Sequence, residues 1–229
     1  MSTIQKIGIL GGTFDPPHVG HLKLASHFAE MLQLDELLLI PSGEPWQKGS
    51  DITPAEIRFQ LTEAAAIDLA RAFLYLKIPT RIGVDRIEIE RAGPSYSIDT
   101  AKSLRERFGP EASLIWLTGV DSLIHLPSWN SWRDLFKFMH FAVTSRPHYD
   151  LDAEMSPEIK ELLKVHQILD PAALENQPAG LIYIDESLSV DLSSTDLRNR
   201  LKTPARGQIE SEQISSHTLQ IITNLGLYQ

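Results

Sequence analysis

The sequence predicts an α/β fold, a doubly wound parallel sheet with helices on both faces and a small helical part after residue 192. Three observations predict it. Short apolar runs recur at residues 6–10, 36–40, 113–118, 141–144 and 181–184. Segments of helical spacing separate them. The runs are short and apolar enough to be strands buried on both faces, as in a parallel sheet covered by helices.

Taken in order, residues 6–10 form the first strand. Leu22, Leu24, Ala25, Phe28, Ala29 and Leu32 then recur at helical spacing over 22–34. Residues 36–40 form a second strand, stopped by Pro41, and a Gly-, Ser- and Pro-rich loop runs over 41–53. Thr53 and Pro54 supply an N-cap and a first-turn proline for a helix over 54–72, with Glu56 in its first turn. Residues 84–90, Val-Asp-Arg-Ile-Glu-Ile-Glu, alternate and predict a half-exposed strand. Residues 97–108 predict a helix that Gly109-Pro110 ends. The runs at 113–118, 141–144 and 181–184 complete the sheet. The polar segment 150–178 has no clear strand and reads as a helical insertion. Helices over 195–202 and 211–224 close the chain. No linker divides it, so residues 1–229 are expected to form one domain, with a core over 1–192 and a helical subdomain over 193–229.

Composition narrows the function. The chain has 229 residues, 42% apolar and 22% charged, ordinary for a globular domain. Without cysteine it can have no disulfide, thiolate nucleophile or zinc–thiolate site. A formal net charge of −9 repels nucleic acid and anionic lipid, so neither is an expected partner. Residues 1–6 lead straight into a strand without the pattern of a signal peptide, and no apolar run has membrane-span length. A cytoplasmic location is expected. The oligomeric state is left open, a homo-oligomer included.

The chemistry concentrates in Gly11-Gly12-Thr13-Phe14-Asp15-Pro16-Pro17-His18-Val19-Gly20-His21. Gly11 and Gly12 end a strand and let the backbone turn close to a ligand. Neither the G-x-G-x-x-G fingerprint nor a P-loop is present. A helix begins near Gly20, its unpaired N–H groups and positive dipole end facing the loop. His18 and His21 flank that start, and each can donate to a phosphate oxygen, so the stretch predicts a cation-and-dipole cradle for a polyphosphate. A metal site would need a third ligand, and none is spaced nearby, so no metal is assigned. Ser193-Ser194-Thr195-Asp196-Leu197-Arg198 offers a second helix start. Ser193 and Asp196 fit a capping box, and Arg198 stands one turn on. In isolation this is an ordinary capped helix; beside the first stretch it is a second phosphate contact.

The first stretch resembles the T/HxGH signature of class I nucleotidyltransferases, and the second resembles their ISSTxIR signature. Gly93-Pro94-Ser95-Tyr96-Ser97-Ile98-Asp99-Thr100, then Gly119-Val120-Asp121-Ser122-Leu123, Leu126-Pro127-Ser128-Trp129 and Ser145-Arg146-Pro147 resemble segments of bacterial nicotinate mononucleotide adenylyltransferases. The resemblance runs in order along nearly the whole chain and implies a Rossmann-like fold. It implies catalytic roles for His18, His21 and Arg198. It implies ATP contacts from Gly11, Gly12, Thr13, Phe14, His18, His21, Gly119, Asp121, Arg146, Ser193, Ser194, Thr195 and Arg198. Trp129 would stack on the pyridine ring, although a tryptophan there could equally be core. Backbone N–H groups near Ser97 and Asn130 would hold the pyridine carboxylate, with Thr13 also facing the acceptor. Asp121 could be a helix N-cap as well as a ribose partner. Lys48 could reach a substrate phosphate or stand in solvent, because its Pro45-Trp46-Gln47-Lys48 segment departs from the usual Pro-Pro-His-Lys.

The implied reaction is adenylyl transfer from ATP to nicotinate mononucleotide, giving deamido-NAD and pyrophosphate in NAD biosynthesis. Mg²⁺ would arrive on ATP, held by substrate and water. The alternatives are another small-nucleotide adenylyltransferase, acting on nicotinamide mononucleotide or phosphopantetheine, and a non-catalytic nucleotide-binding protein.

Overall fold

The computed structural model describes residues 4–46, 52–145, 154–188, 194–202 and 213–228. Seven strands form one sheet: β1 (Lys6–Gly12), β2 (Glu36–Pro41), β3 (Arg81–Val84), β4 (Ser113–Gly119), β5 (His140–Thr144), β6 (Gln167–Ile168) and β7 (Ile182–Asp185). Their order is β3-β2-β1-β4-β5-β7-β6, and every pairing is parallel. The helices are α1 (Val19–Met31), α2 (Ala55–Leu76), α3 (Ser97–Phe108), α4 (Val120–Ile124), α5 (Pro157–His166), α6 (Ser194–Leu201) and α7 (Ser216–Leu225).

The apolar runs are buried on both faces because alternate side chains enter different cores. Ile7, Ile9, Leu38, Ile40, Leu114, Trp116, Phe141 and Val143 pack on one face with Ile98, Ala101 and Leu104 of α3. Leu10, Leu37, Leu39, Ile115, Leu117 and Ala142 pack on the other with Ala25, Phe28 and Ala29 of α1 and Leu69 and Phe73 of α2. A third cluster joins Leu61 of α2 to Leu197 and Leu201 of α6, Ile214, and Ile222 of α7. Burying a leucine or isoleucine fully contributes about 1.5–3 kcal/mol, so each face is a substantial store of stability.

Strand β1 has β2 on one side and β4 on the other, so the strand order reverses between β1 and β4. Ligands in doubly wound sheets bind at such a switch point, beyond the carboxyl ends of the strands. Here those ends are Gly11-Gly12 and Thr118-Gly119.

Three expectations are corrected. The strand predicted over 84–90 is a strand at Arg81–Val84 followed by a turn. Asp85 Oδ1 accepts the Ile87 N–H at 2.9 Å, and the Arg86 carbonyl accepts those of Ile89 and Glu90, which curls the alternating residues out of the sheet. Thr53 does not cap α2: Pro54 holds that position, and the Thr53 carbonyl accepts instead from Arg58. Segment 150–178 contains α5, but also β6, which pairs with β7. Among the described residues no helix is long and apolar enough to cross a membrane.

Candidate active site

The loop from Gly12 to His18 runs from the end of β1 into the start of α1. His18 takes the N-cap position in extended geometry, and its carbonyl accepts the His21 and Leu22 N–H groups at 2.9 and 3.3 Å. The His18 N–H in turn donates to His21 Nδ1 at 3.2 Å. A neutral His21 that accepts through Nδ1 must carry its proton on Nε2. The two rings stack with centroids 3.8 Å apart, and the Phe14 ring meets His21 edge-on at 5.0 Å.

Burial pushes His18 down to about 4. Burial, and then the proximity of His18, hold His21 well below the ordinary histidine range. Both imidazoles are therefore neutral near pH 7, which corrects the expected cation cradle: they offer N–H donors and the α1 dipole, without formal charge. The Phe14 ring is buried beneath His21 in the α1 core, where it supports that donor, so a contact from Phe14 to ATP would come from its backbone.

The second helix start meets this loop. Ser194 Oγ, at the beginning of α6, donates to the Pro16 carbonyl at 3.1 Å. Arg198 Nη1 donates to the Asp15 carbonyl at 2.6 Å and lies 3.7 Å from Asp15 Oδ2. The formal charge that the histidines lack is thus brought by Arg198. Thr195 lies within α6, but its side chain, like Lys48, Arg146, Ser193 and the Ser193–Asp196 capping box, falls outside the described residues.

Beside the loop, at the switch point, lies a pocket of about 190 Å³. Gly11, Gly12 and Thr13 line it together with Ser97, Trp129 and Asn130. Trp129 is half-buried, packs against the core by meeting Trp116 edge-on at 6.2 Å, and also lines the pocket. Gly11 is required here, because a Cβ would come within 2.6 Å of the Trp116 ring. Ser97 opens α3, where the first N–H groups have no partner within the helix. Gly119 and Asp121 do not line this pocket. Gly119 is the N-cap of α4, with open space where a Cβ would stand, and Asp121 is exposed in the first turn.

The profile of the cytidylyltransferase-like family matches residues 9–200. The chain belongs to the cytidylyltransferase-like family. Curated relatives include a probable nicotinate-nucleotide adenylyltransferase from Herminiimonas arsenicoxydans, 34% identical over 228 residues, covering 100% of this chain and 99% of the relative. Another, from Aeromonas salmonicida, is 37% identical over 223 residues and covers 97% of each chain. Among solved structures, Plasmodium falciparum nicotinic acid mononucleotide adenylyltransferase complexed with NaAD superposes with a TM-score of 0.65. It is 16% identical and covers 98% of this chain and 97% of that one, a likeness of fold.

Several site residues of this cytidylyltransferase-like chain escape a motif search. Arg58 is fully buried, and its guanidinium donates to the carbonyls of Thr53, Thr13 and Gly43 at 2.8, 2.8 and 2.9 Å. It ties the β1 loop, the β2 loop and the entry to α2 together. A signal existed, since Arg58 falls in the helical register of buried Leu61, Thr62, Ala65 and Leu69. Burial lowers its affinity for the proton, and Asp15, Tyr228 and Glu88 oppose that. Glu88 and Ser42, which fall outside the motif segments, also line the pocket, as do Trp46 and Tyr96 within them. Glu88 is buried, which pushes its carboxyl up, while a 2.7 Å bond from Thr100 opposes the shift. Among the described residues, two buried side-chain polar atoms make no hydrogen bond, Ser42 Oγ and His18 Nδ1. Both belong to this site, where unpaired buried polar atoms call for a ligand partner.

Proposed function

We infer that this chain transfers the adenylyl group of ATP to nicotinate mononucleotide, giving deamido-NAD and pyrophosphate in NAD biosynthesis. One observation carries it: a single loop, residues 11–18, lines a pocket walled by Trp129 at one end and joins two helix starts and Arg198 at the other. An aromatic acceptor base and a triphosphate would thereby lie on adjacent sides of one backbone segment. The adenylyltransferase names of full-length relatives at 34% and 37% identity support the same reading.

In this reading the phosphate of nicotinate mononucleotide attacks the α-phosphorus in line and pyrophosphate leaves. A phosphate oxygen is ionised already, so no general base is needed. The protein's work is to hold two anions together and stabilise charge on the departing pyrophosphate. His21 Nε2–H, His18, the first N–H groups of α1 and α6, and Arg198 do that. Trp129 stacks on the pyridine ring. The orphan N–H groups at the start of α3, near Ser97, and that of Asn130 receive the carboxylate. Thr13 would face the acceptor and Gly119 and Asp121 would lie along the ATP ribose, while roles for Lys48 and Arg146, which lie outside the described residues, rest on the resemblance alone. Mg²⁺ comes with ATP and neutralises phosphate charge. Among the described residues no three His, Asp or Glu side chains gather around a cation. Asp15 already has one oxygen on Tyr228 and the other on the Thr53 N–H, which favours substrate and water as the ion's ligands. A cytoplasmic location, the compartment of the ATP pool, is part of the same proposal.

A pyrophosphate-release assay with ATP and each of three acceptors tests it. We expect nicotinate mononucleotide to give the highest kcat/KM, above nicotinamide mononucleotide and phosphopantetheine. A preference for either of the others would replace the substrate assignment. ATP binding by calorimetry with no turnover on any acceptor would make the chain a nucleotide-binding protein.

A further inference from the structure

Asp15 sits between Thr13 and His18 in the loop that joins pocket to cradle, and its carboxylate is almost wholly buried, at 1% exposure. A buried carboxylate must have its oxygens satisfied. Oδ1 accepts the Tyr228 hydroxyl at 2.5 Å, across 213 positions of sequence. Oδ2 accepts the Thr53 N–H at 3.2 Å and lies 3.7 Å from Arg198 Nη1. The Tyr228 oxygen also accepts from Thr53 Oγ1 at 3.3 Å, so this hydroxyl both donates and accepts.

Tyr228 reaches Asp15 by an unusual backbone. Gly226 and Tyr228 have φ of 62° and 58°, the left-handed region, which is uncommon for a tyrosine. The Leu227 N–H closes the end of α7 on the Ile222 carbonyl at 3.0 Å. A bulky residue persists in that conformation when its surroundings over-determine it, and such positions cluster at functional sites.

We propose that Tyr228 is a positioning residue for adenylyl transfer, fixing Asp15 so that Arg198 and the His18–His21 helix start share one register. The proposal rests on the reading of the site as an adenylyltransferase cradle. Tyr228 holds one carboxylate oxygen, which directs the other toward Thr53 and Arg198. Arg198 then donates to the Asp15 carbonyl beside the cradle. Without the hydroxyl, Asp15 keeps a buried oxygen with no donor. Arg58 is committed to three carbonyls, whereas Arg198, already 3.7 Å from the carboxylate, would be drawn into a closer ion pair and away from the triphosphate.

The test is Tyr228→Phe, which keeps the ring and its packing. We expect ATP affinity by calorimetry and kcat each to fall about tenfold, the scale of losing a hydrogen bond to a charged group. The KM for nicotinate mononucleotide should stay within about twofold. In an Arg198→Lys background the same change should cost little more, because both act through one contact. Wild-type ATP affinity and kcat in Tyr228→Phe, with only a lower Tm, would overturn the proposal. So would fully additive losses with Arg198→Lys. ATP affinity reads the effect whatever the acceptor proves to be, so a failed substrate assignment and a failed role for Tyr228 give different results.

Discussion

The imidazoles of His18 and His21 lie stacked at the start of α1 with centroids 3.8 Å apart and planes inclined by 26°. The backbone N–H of His18 fixes His21 Nδ1 as an acceptor, so Nε2–H is the donor left for a phosphate. Removing it should act on the transition state more than on binding. His21→Ala is expected to lower kcat by about 10²-fold or more, the loss seen when an oxyanion donor is deleted. Steady-state pyrophosphate release measures it, and a fall of only a few-fold would reduce His21 to a helix-start contact.

The same burial sets a pH dependence of stability. His18 is pushed down to about 4, His140 likewise to about 4, and His21 well below its ordinary value, all chiefly by burial. Each is neutral in the native state while its unfolded counterpart takes up a proton below about 6.5. The unfolded chain therefore binds more protons between about 6.5 and 4, and stability falls as pH drops through that window. Below about 4, His18 and His140 are protonated in both states and add no further loss. Replacing His18 with Asn should flatten the decline of Tm between pH 7 and pH 5. An unchanged slope would mean that His18 protonates freely in the native protein.

Arg58 is the costliest residue of the site to remove. Its guanidinium satisfies three partly buried backbone carbonyls, and Asp15 stands nearby as counter-charge. Arg58→Met should destabilise the fold by about 3–5 kcal/mol, the range for breaking a buried charged contact. Arg58→Lys should also fail to restore wild-type stability, because one ammonium cannot fork to Thr13, Thr53 and Gly43 together. Denaturant midpoints of the two variants measure this.

How far the sequence led differs from element to element. Strands β1 and β2 and helix α3 were legible because their apolar spacing is local and Pro41 and Gly109-Pro110 mark two of the ends. The HVGH and SSTDLR segments were legible as a pair, and Ser194 and Arg198 do meet the Asp15–Pro16 backbone. Residues 84–90 misled because alternation over so few positions is equally the product of a turn, with Ile87 packed inward and Glu88 buried by its bond from Thr100. The charge state of the histidines was not legible either, since it follows from how deeply the folded loop buries them. Tyr228 is the extreme case. Its partner lies 213 residues away, and nothing in its local sequence names Asp15.

Trp129 should separate the two halves of the site. It lines the pocket together with Gly11–Thr13, while its edge-on contact with Trp116 holds its ring in place. Trp129→Ala is expected to raise the KM for the acceptor about tenfold, within the range that aromatic stacking on a base contributes. The KM for ATP should change little. Trp129→Phe should recover most of the loss, and steady-state kinetics with each substrate varied in turn distinguishes this from general damage.

Gly11 offers a finer test of the same pocket. A methyl group at this position would stand 2.6 Å from Cζ2 and 2.7 Å from Cη2 of Trp116, too close for either to remain. Trp116 is core, packed with Ile9 and Leu114 on one sheet face, and also lines the pocket, so its displacement would disturb the pocket and its contact with Trp129. Gly11→Ala should therefore cost stability of about 1–3 kcal/mol, as overpacking does. It should also raise the acceptor KM, because Gly11, Trp116 and Trp129 all line the pocket. Coupling with Trp129→Ala reads the path directly: in that background the effect of Gly11→Ala on acceptor KM should shrink, whereas an undiminished effect would mean that Gly11 acts through its own backbone.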